Sequence, residues 1–258
     1  MFFAPTLLAL TRPDLGNHVK ILCLSTGDAD GLGHIRKKEL QKSAVRLGVR
    51  NESDVFVVDD PSRFPDSITT TWSAASISSL LSSTFAPELA LSSRSTTNST
   101  TAATRRINGS TTDDSAPKAT IDVLITFDKS GVSNHPNHRS LYHGARTFLQ
   151  SLMKGKAGYA CPVSLYTLTS TNIVRKYAGI FDAPTTMLYG GIAGIVDRRT
   201  SDKQGDPNRL LYVSGVGEWL SAWKAMVYGH RSQMVWFRWG WITIGRYMVV
   251  NDLKRERI

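Results

Sequence analysis

Cysteine is scarce in this chain of 258 residues, which carries only Cys23 and Cys161. Two cysteines exclude a disulfide framework. Each sits in an apolar run, which reads as a buried free thiol in a reducing compartment. Long apolar stretches are lacking too: no run approaches the roughly eighteen residues that a membrane-spanning helix needs. The opening MFFAPTLLAL has no basic segment before it and no cleavage site, so it reads as a short buried helix and not a signal peptide. Acidic residues are the minority charge, 21 against 31 lysines and arginines, for a net charge of +10. Such a surplus favours an anionic partner: nucleic acid, a phosphorylated substrate or an anionic membrane face. No RRM, KH or zinc-finger spacing is present, so nucleic acid is not expected. With 41% hydrophobic and 20% charged residues, wholesale disorder and collagen-like classes are excluded. The length allows one to two domains and one sizeable core.

The pattern along the chain is that of an α/β protein. After the apolar helix Phe2–Leu10, Val19–Ser25 (VKILCLS) predicts a short buried strand. The polar loop Gly27–Gly33 leads into a helix over Arg36–Leu47, with Leu40, Ala44 and Leu47 facing inward and Gly48 as its stop. Val55–Val58 is a second strand, closed by Asp59-Asp60-Pro61. Strand, loop, helix, strand is the grammar of a βαβ unit and a parallel sheet. A helix is expected over Trp72–Leu81. Ser82–Thr120 is rich in Ser, Thr and Asn and reads as a low-complexity, disordered insertion within a single domain over residues 1–258. Asn98 and Asn108 open glycosylation acceptor patterns there, which arise readily by chance in such a segment. Ile121–Phe127 is a third strand, ending at Asp128. A helix through Leu152 follows, then strands at Val163–Leu168 and Leu211–Val213. The tail Met234–Val250, with three tryptophans and two arginines, reads best as buried or half-buried core; an interfacial membrane element and a stacking surface are the alternatives.

The sharpest local signal is His135-Pro-Asn-His138, just past the C-terminal end of a strand, where ligands bind in open α/β sheets. Two imidazoles three residues apart can face one site, one as a zinc ligand and the other holding a proton or polarising a carbonyl. Two solvated loop histidines are the plainer reading. A catalytic zinc takes three protein ligands and an open position. Asp28 and Asp30, after a neighbouring strand, are candidates to approach, yet no complete metal-ligand motif is present. The loop Gly27–Gly33 has neither dinucleotide-binding nor P-loop spacing. Arg36, opening the helix behind it, suits a phosphate or is an ordinary helix-start charge.

Several blocks together resemble the N-acetylglucosaminyl-phosphatidylinositol de-N-acetylase family, the PIG-L type. They are MFFAPTLLAL, STGDADGLGHIRKKEL (Ser25–Leu40), LITFD (Leu124–Asp128), GVSNHPNH (Gly131–His138), LTSTNIVRKY (Leu168–Tyr177) and AWKAMVYGHRSQMVWFRW (Ala222–Trp239), then RYMVVNDLK. Their order is kept over most of the chain, apart from the Ser/Thr-rich insertion. The resemblance implies a Rossmann-like parallel sheet flanked by helices. It implies a zinc enzyme that removes acetate from a phosphatidylinositol glycolipid, the second step of GPI-anchor assembly, on the cytoplasmic face of the endoplasmic reticulum. By resemblance His138 is the zinc ligand, and His135 polarises the amide carbonyl and steadies the oxyanion. Arg36 lies near the inositol phosphate, and Asp128 orients a histidine. The expected partners are N-acetylglucosaminyl-phosphatidylinositol and an anionic membrane surface.

One departure accompanies the match. The family's first strand ends in H-P-D-D-E, supplying two zinc ligands and the aspartate general base, immediately before the segment resembling MFFAPT. No such motif occurs in this sequence, nor does the amino-terminal anchor of eukaryotic members. The expectation is therefore a sheet lacking its first strand, explained either by a reading frame that continues upstream of Met1 or by a catalytically inactive relative that binds glycolipid or a partner without turnover.

Overall fold

The computed structural model describes residues 2–91, 115–188 and 206–258. In chain order its principal elements are α1 (Ala4–Leu10), β1 (Ile21–Cys23), α2 (Gly33–Arg46), β2 (Val55–Val57), α3 (Ala74–Phe85), β3 (Val123–Phe127), α4 (Pro136–Leu152), β4 (Ser164–Leu168), β5 (Arg209–Val213), α5 (Val216–Gly229), α6 (Trp236–Ile244) and β6 (Val250–Glu256). Every strand and helix expected above is present, with ends moved by a few residues. Helices α5 and α6 and strand β6 are additional. The chain divides into two compact units, Met1–Thr70 with Leu168–Lys254, and Thr71–Thr167 with Arg255–Ile258. Most of the Ser/Thr-rich stretch, including Asn98 and Asn108, lies outside the described residues. Its start does not: Ser82 is buried and belongs to α3.

In the first unit, β1 and β2 pair in parallel, Ile21 opposite Val55 and Cys23 opposite Val57. Helix α2 is the crossover between them, burying Ala44 with Val49 and Val55. It stops where the sequence requires: Leu47 is the cap and Gly48 follows at φ +96°, against the Thr11 side chain. Helix α5 lies against α2 so closely that a Cβ on Gly229 would come within 2.9 Å of Ser43 Cβ. A core of Leu47, Ala222, Met226, Ile242, Met248 and Val250 fills the space beneath. Full burial of such aliphatic side chains contributes about 1.5–3 kcal/mol each. Helix α1 is anchored by polar contacts: Thr6 donates from its backbone N–H and its hydroxyl to Asn251 Oδ1, at 3.1 and 2.7 Å. Strands β5 and β6 run antiparallel, Arg209 opposite Lys254, and belong to a sheet separate from the β1–β2 pair. Parallel and antiparallel pairs occurring together are common in α/β proteins.

The second unit packs α3 on α4. Gly144 permits the approach, since a Cβ there would overlap Ile77. Ser73 caps α3 by accepting from the Ser76 N–H. Beyond it, the Trp72 N–H donates to Ser140 Oγ at 2.9 Å, fixing where α3 begins along α4. Phe148 and Leu149 are fully buried on α4. Strands β3 and β4 are hydrogen-bonded neighbours, and every residue of β4 is buried.

The tail does not behave as one core segment. Ile242 and Tyr247–Val250 are buried, whereas Trp236, Phe237 and Trp239 are exposed. Both cysteines are free and half-buried. Cys23 gives its S–H to the Ser25 carbonyl, and burial raises its thiol pKa.

Candidate active site

Strand β3 delivers the chain to Asp128, whose Oδ1 accepts from the backbone N–H groups of Ser130 and Gly131 at 3.0 and 2.9 Å. This side-chain turn bends the backbone back on itself. Gly131 takes φ +60°, and a Cβ there would lie 2.9 Å from His138 Cβ and 3.0 Å from the Arg139 nitrogen. Val132 (φ 62°) and Asn134 (φ 58°) follow, the only non-glycine residues with positive φ among those described. A β-branched residue held there is a real outlier, at a cost of order 1–3 kcal/mol. The chain then enters α4, with His135 as N-cap and Pro136 at the first helical position.

The hydrogen bonds assign the protons of both histidines. His135 Nδ1 accepts from the Asn137 N–H at 3.3 Å. A ring nitrogen that accepts bears no proton, so the neutral His135 ring carries its proton on Nε2. His138 Nδ1 lies 3.1 Å from the Gly131 carbonyl oxygen. A carbonyl only accepts, so His138 donates from Nδ1 and its lone pair sits on Nε2. The ring centroids are 4.9 Å apart with a tilt of 34°. His138 is further fixed by stacking on Phe127, at 4.0 Å and 12°. The loop thus presents a donor nitrogen and an acceptor nitrogen from adjacent rings. Asp128 bears on His138 through the backbone: it holds the Gly131 N–H, and the Gly131 carbonyl holds His138 Nδ1.

Arg36 belongs to the other compact unit. Its Nη1 donates to the Gly27 carbonyl and its Nη2 to Asp30, while Nε is buried without a hydrogen-bond partner. Asp28 accepts from the Gly33 N–H at 2.6 Å, which satisfies the first turn of α2. Asp28 and Asp30, weighed as metal ligands from sequence, are thus engaged within their own loop. Beside them, past the C-terminal ends of β1 and β2, lies a cavity of about 230 Å³ lined by Asp28, Asp59, Asp60, Phe64 and Asp66. The sequence marked this place only as two aspartates closing a parallel strand. Asp60 is held down to about 2 by hydrogen bonds from Ser62 and then Arg63.

The remaining histidines are dispersed. His18 pairs with Asp54 at 2.8 Å, and His34 and His143 are exposed. His230 is buried, and burial, reinforced by the Arg238 charge, lowers its pKa to about 3. Among the described residues no group of three or more His, Cys, Asp and Glu side chains is placed to hold a metal ion. His138 has the tautomer of a metal ligand, with its second nitrogen fixed by a carbonyl. The described residues still do not make up the three-ligand set of a hydrolytic zinc.

A strand-end loop that carries paired donor and acceptor imidazoles is where an α/β protein places its chemistry, and sequence comparisons specify the class. Residues 1–149 match the family model for GlcNAc-PI de-N-acetylase, PIG-L. The chain is 58% identical to an N-acetylglucosaminyl-phosphatidylinositol de-N-acetylase of Arthroderma benhamiae, covering 100% of this chain and 84% of that protein. It is 32% identical to the enzyme of that name from Bos taurus, over 98% of this chain and 77% of the relative. The corresponding Saccharomyces cerevisiae enzyme is 29% identical, over 98% and 76%. The chain belongs to the PIG-L family of GlcNAc-PI de-N-acetylases.

Proposed function

We propose that this protein hydrolyses the N-acetyl group of N-acetylglucosaminyl-phosphatidylinositol, the second step of GPI-anchor assembly. Family membership supports the reaction, and the histidine pair is the observation that carries it. Water adds to the acetamide carbonyl carbon, the carbon–nitrogen bond breaks, and a proton passes to the leaving nitrogen, giving acetate and the free amine. Negative charge grows on the carbonyl oxygen as water adds. His135 meets that charge by donating from Nε2, and its N-cap bond to Asn137 N–H keeps the proton there. The zinc that the resemblance implies would take His138 Nε2 as one ligand. Because the described residues do not complete a zinc set, no step is assigned to the metal. Arg36 is the proposed neighbour of the inositol phosphate and Asp128 the positioning residue for His138. The place of action is the endoplasmic reticulum membrane, on its cytoplasmic face. No described helix is long and apolar enough to cross a membrane.

The test is deacetylation of N-acetylglucosaminyl-phosphatidylinositol by the purified chain. His138→Ala should abolish turnover. His135→Ala should lower kcat by about 100- to 1000-fold, the cost of losing one oxyanion donor. Unchanged turnover in His138→Ala overturns the assignment. The incomplete donor set favours one second reading, a relative that binds the glycolipid without turnover. Saturable substrate binding by a chain that releases no acetate would establish it.

A further inference from the structure

Helix α6 buries little of itself. Trp236 is 86% exposed, Phe237 55% and Trp239 43%, whereas Ile242 is fully buried. The helical turn Gly179–Phe181 packs on its far end, where a Cβ on Gly179 would lie 3.2 Å from the Ile244 carbonyl oxygen. That turn exposes Phe181 at 84% together with Ile180, and Ile173 and Val174 just before it are also exposed. Single exposed apolar residues need no explanation, but this many on one short helix and the segment packed on its end mark an interaction surface.

The charges around it identify the occupant. Between Asn172 and Phe181, and between His230 and Asn251, the sequence contains no aspartate or glutamate, but it contains Arg175, Lys176, Arg231, Arg238 and Arg246. Of the described carboxylates, Asp182 is only 3% exposed and is enclosed by Arg175, Arg246 and Thr186, and the half-buried Glu39 accepts from the Ser232 N–H and hydroxyl. Arg231 is exposed and Lys176 half-exposed. Aromatic rings beside the exposed Arg231 and half-exposed Lys176 match the headgroup boundary of an anionic bilayer, where tryptophan and arginine both concentrate.

We infer that α6 and the turn Gly179–Phe181 form the face on which the protein lies against an anionic membrane, with Trp236, Phe237 and Phe181 entering the headgroup layer. The inference deepens the proposed activity, whose substrate is a lipid, but its test does not depend on turnover. The full chain is mixed with phosphatidylcholine vesicles, with or without one-fifth phosphatidylinositol, and the bound fraction is measured by sedimentation. Binding should be stronger on the anionic vesicles, and 0.5 M NaCl should remove that increment. Trp236→Ser with Phe237→Ser should weaken partition at least about tenfold, since two aromatic rings are withdrawn from the lipid. Phe181→Ser should weaken it less. Phe56→Ser, which removes an exposed ring from β2, should leave it unchanged. Because all four residues are exposed, circular dichroism should show an intact fold in every variant. Absence of vesicle binding, or equal binding by the double variant, overturns the inference. A chain that binds vesicles as described but releases no acetate upholds the inference and overturns the proposed activity. A chain that deacetylates but ignores vesicles does the reverse.

Discussion

The loops after β1 and β3 are built from similar parts. Each follows a strand, contains an aspartate whose side chain accepts N–H groups of its own loop, and leads into a long helix. They differ in what takes the left-handed positions. After β1 these are Gly27 and Gly31, which adopt them without strain, and the Arg36 guanidinium closes over the result. After β3, Gly131 is joined by Val132 and Asn134, which adopt them at a cost. The first loop spends its polar groups on itself. The second orders two imidazoles with opposite proton positions. The contrast agrees with the proposed site, because strain of this kind persists only where the surrounding structure enforces it.

The largest effect should come from breaking the β3 loop at its tightest point. Gly131→Ala places a methyl against His138 Cβ and the Arg139 backbone in a left-handed conformation, so the His138 ring must move. A displacement of about an ångström at a reacting group costs roughly 100-fold in rate. The expected result is at least that loss of kcat, with a lower melting temperature. Wild-type kcat in Gly131→Ala would show that the loop does not position the histidine.

Acid separates the two kinds of histidine. His230 has a folded pKa of about 3, below the ordinary histidine value of 6.5, so the unfolded chain takes up its proton first. Its contribution to stability is complete above pH 6.5 and declines as pH falls towards 3. Between pH 7 and 5 the loss is roughly 2 kcal/mol. Thermal melts at these two pH values should show it, and His230→Gln should flatten the difference.

Much of this was legible beforehand, for reasons that differ between the two loops. Helix α2 was readable from Leu40, Ala44 and Leu47 because a two-sided environment imposes helical period. The histidines were readable because a strand end preceded them. The direction of their protons was not, since it depends on Asn137 N–H and the Gly131 carbonyl, which no side-chain pattern encodes. Strand β6 was missed because Val250–Glu256 mixes Asn251, Asp252 and Lys254 with its apolar residues. Those polar groups are satisfied by partners distant in sequence, Thr6 for Asn251 and Arg209 for Asp252. The tail was read as one apolar unit because composition cannot tell the buried Ile242 from the exposed Trp236 six residues earlier.

Arg36 tests whether the β1 loop is purely structural. Arg36→Ala removes hydrogen bonds to Gly27 and Asp30 from a largely buried side chain. Screening of the exposed Asp30 keeps the expected stability loss to about 1 kcal/mol. Assayed well below the melting temperature, a variant with unchanged KM confines Arg36 to holding its loop. A raised KM with unchanged kcat supports its proposed place beside the inositol phosphate, because it removes binding shared by ground and transition states.

The smallest change asks whether the β3 strain is useful or incidental. Asn134 is exposed and holds φ 58° with an L side chain, so Asn134→Gly relaxes the backbone and removes no buried contact. Relief of left-handed strain at one asparagine is expected to stabilise by a few tenths of a kcal/mol, up to about 1. In a chain of this length that raises the melting temperature by no more than about 2–4 °C. Glycine also loosens the segment that enters α4 at His135, so a strain that serves positioning predicts a lower kcat in the more stable variant. A variant both more stable and fully active would show that at Asn134 the left-handed turn is only a way to end the loop, leaving Gly131 and Val132 to hold the histidines.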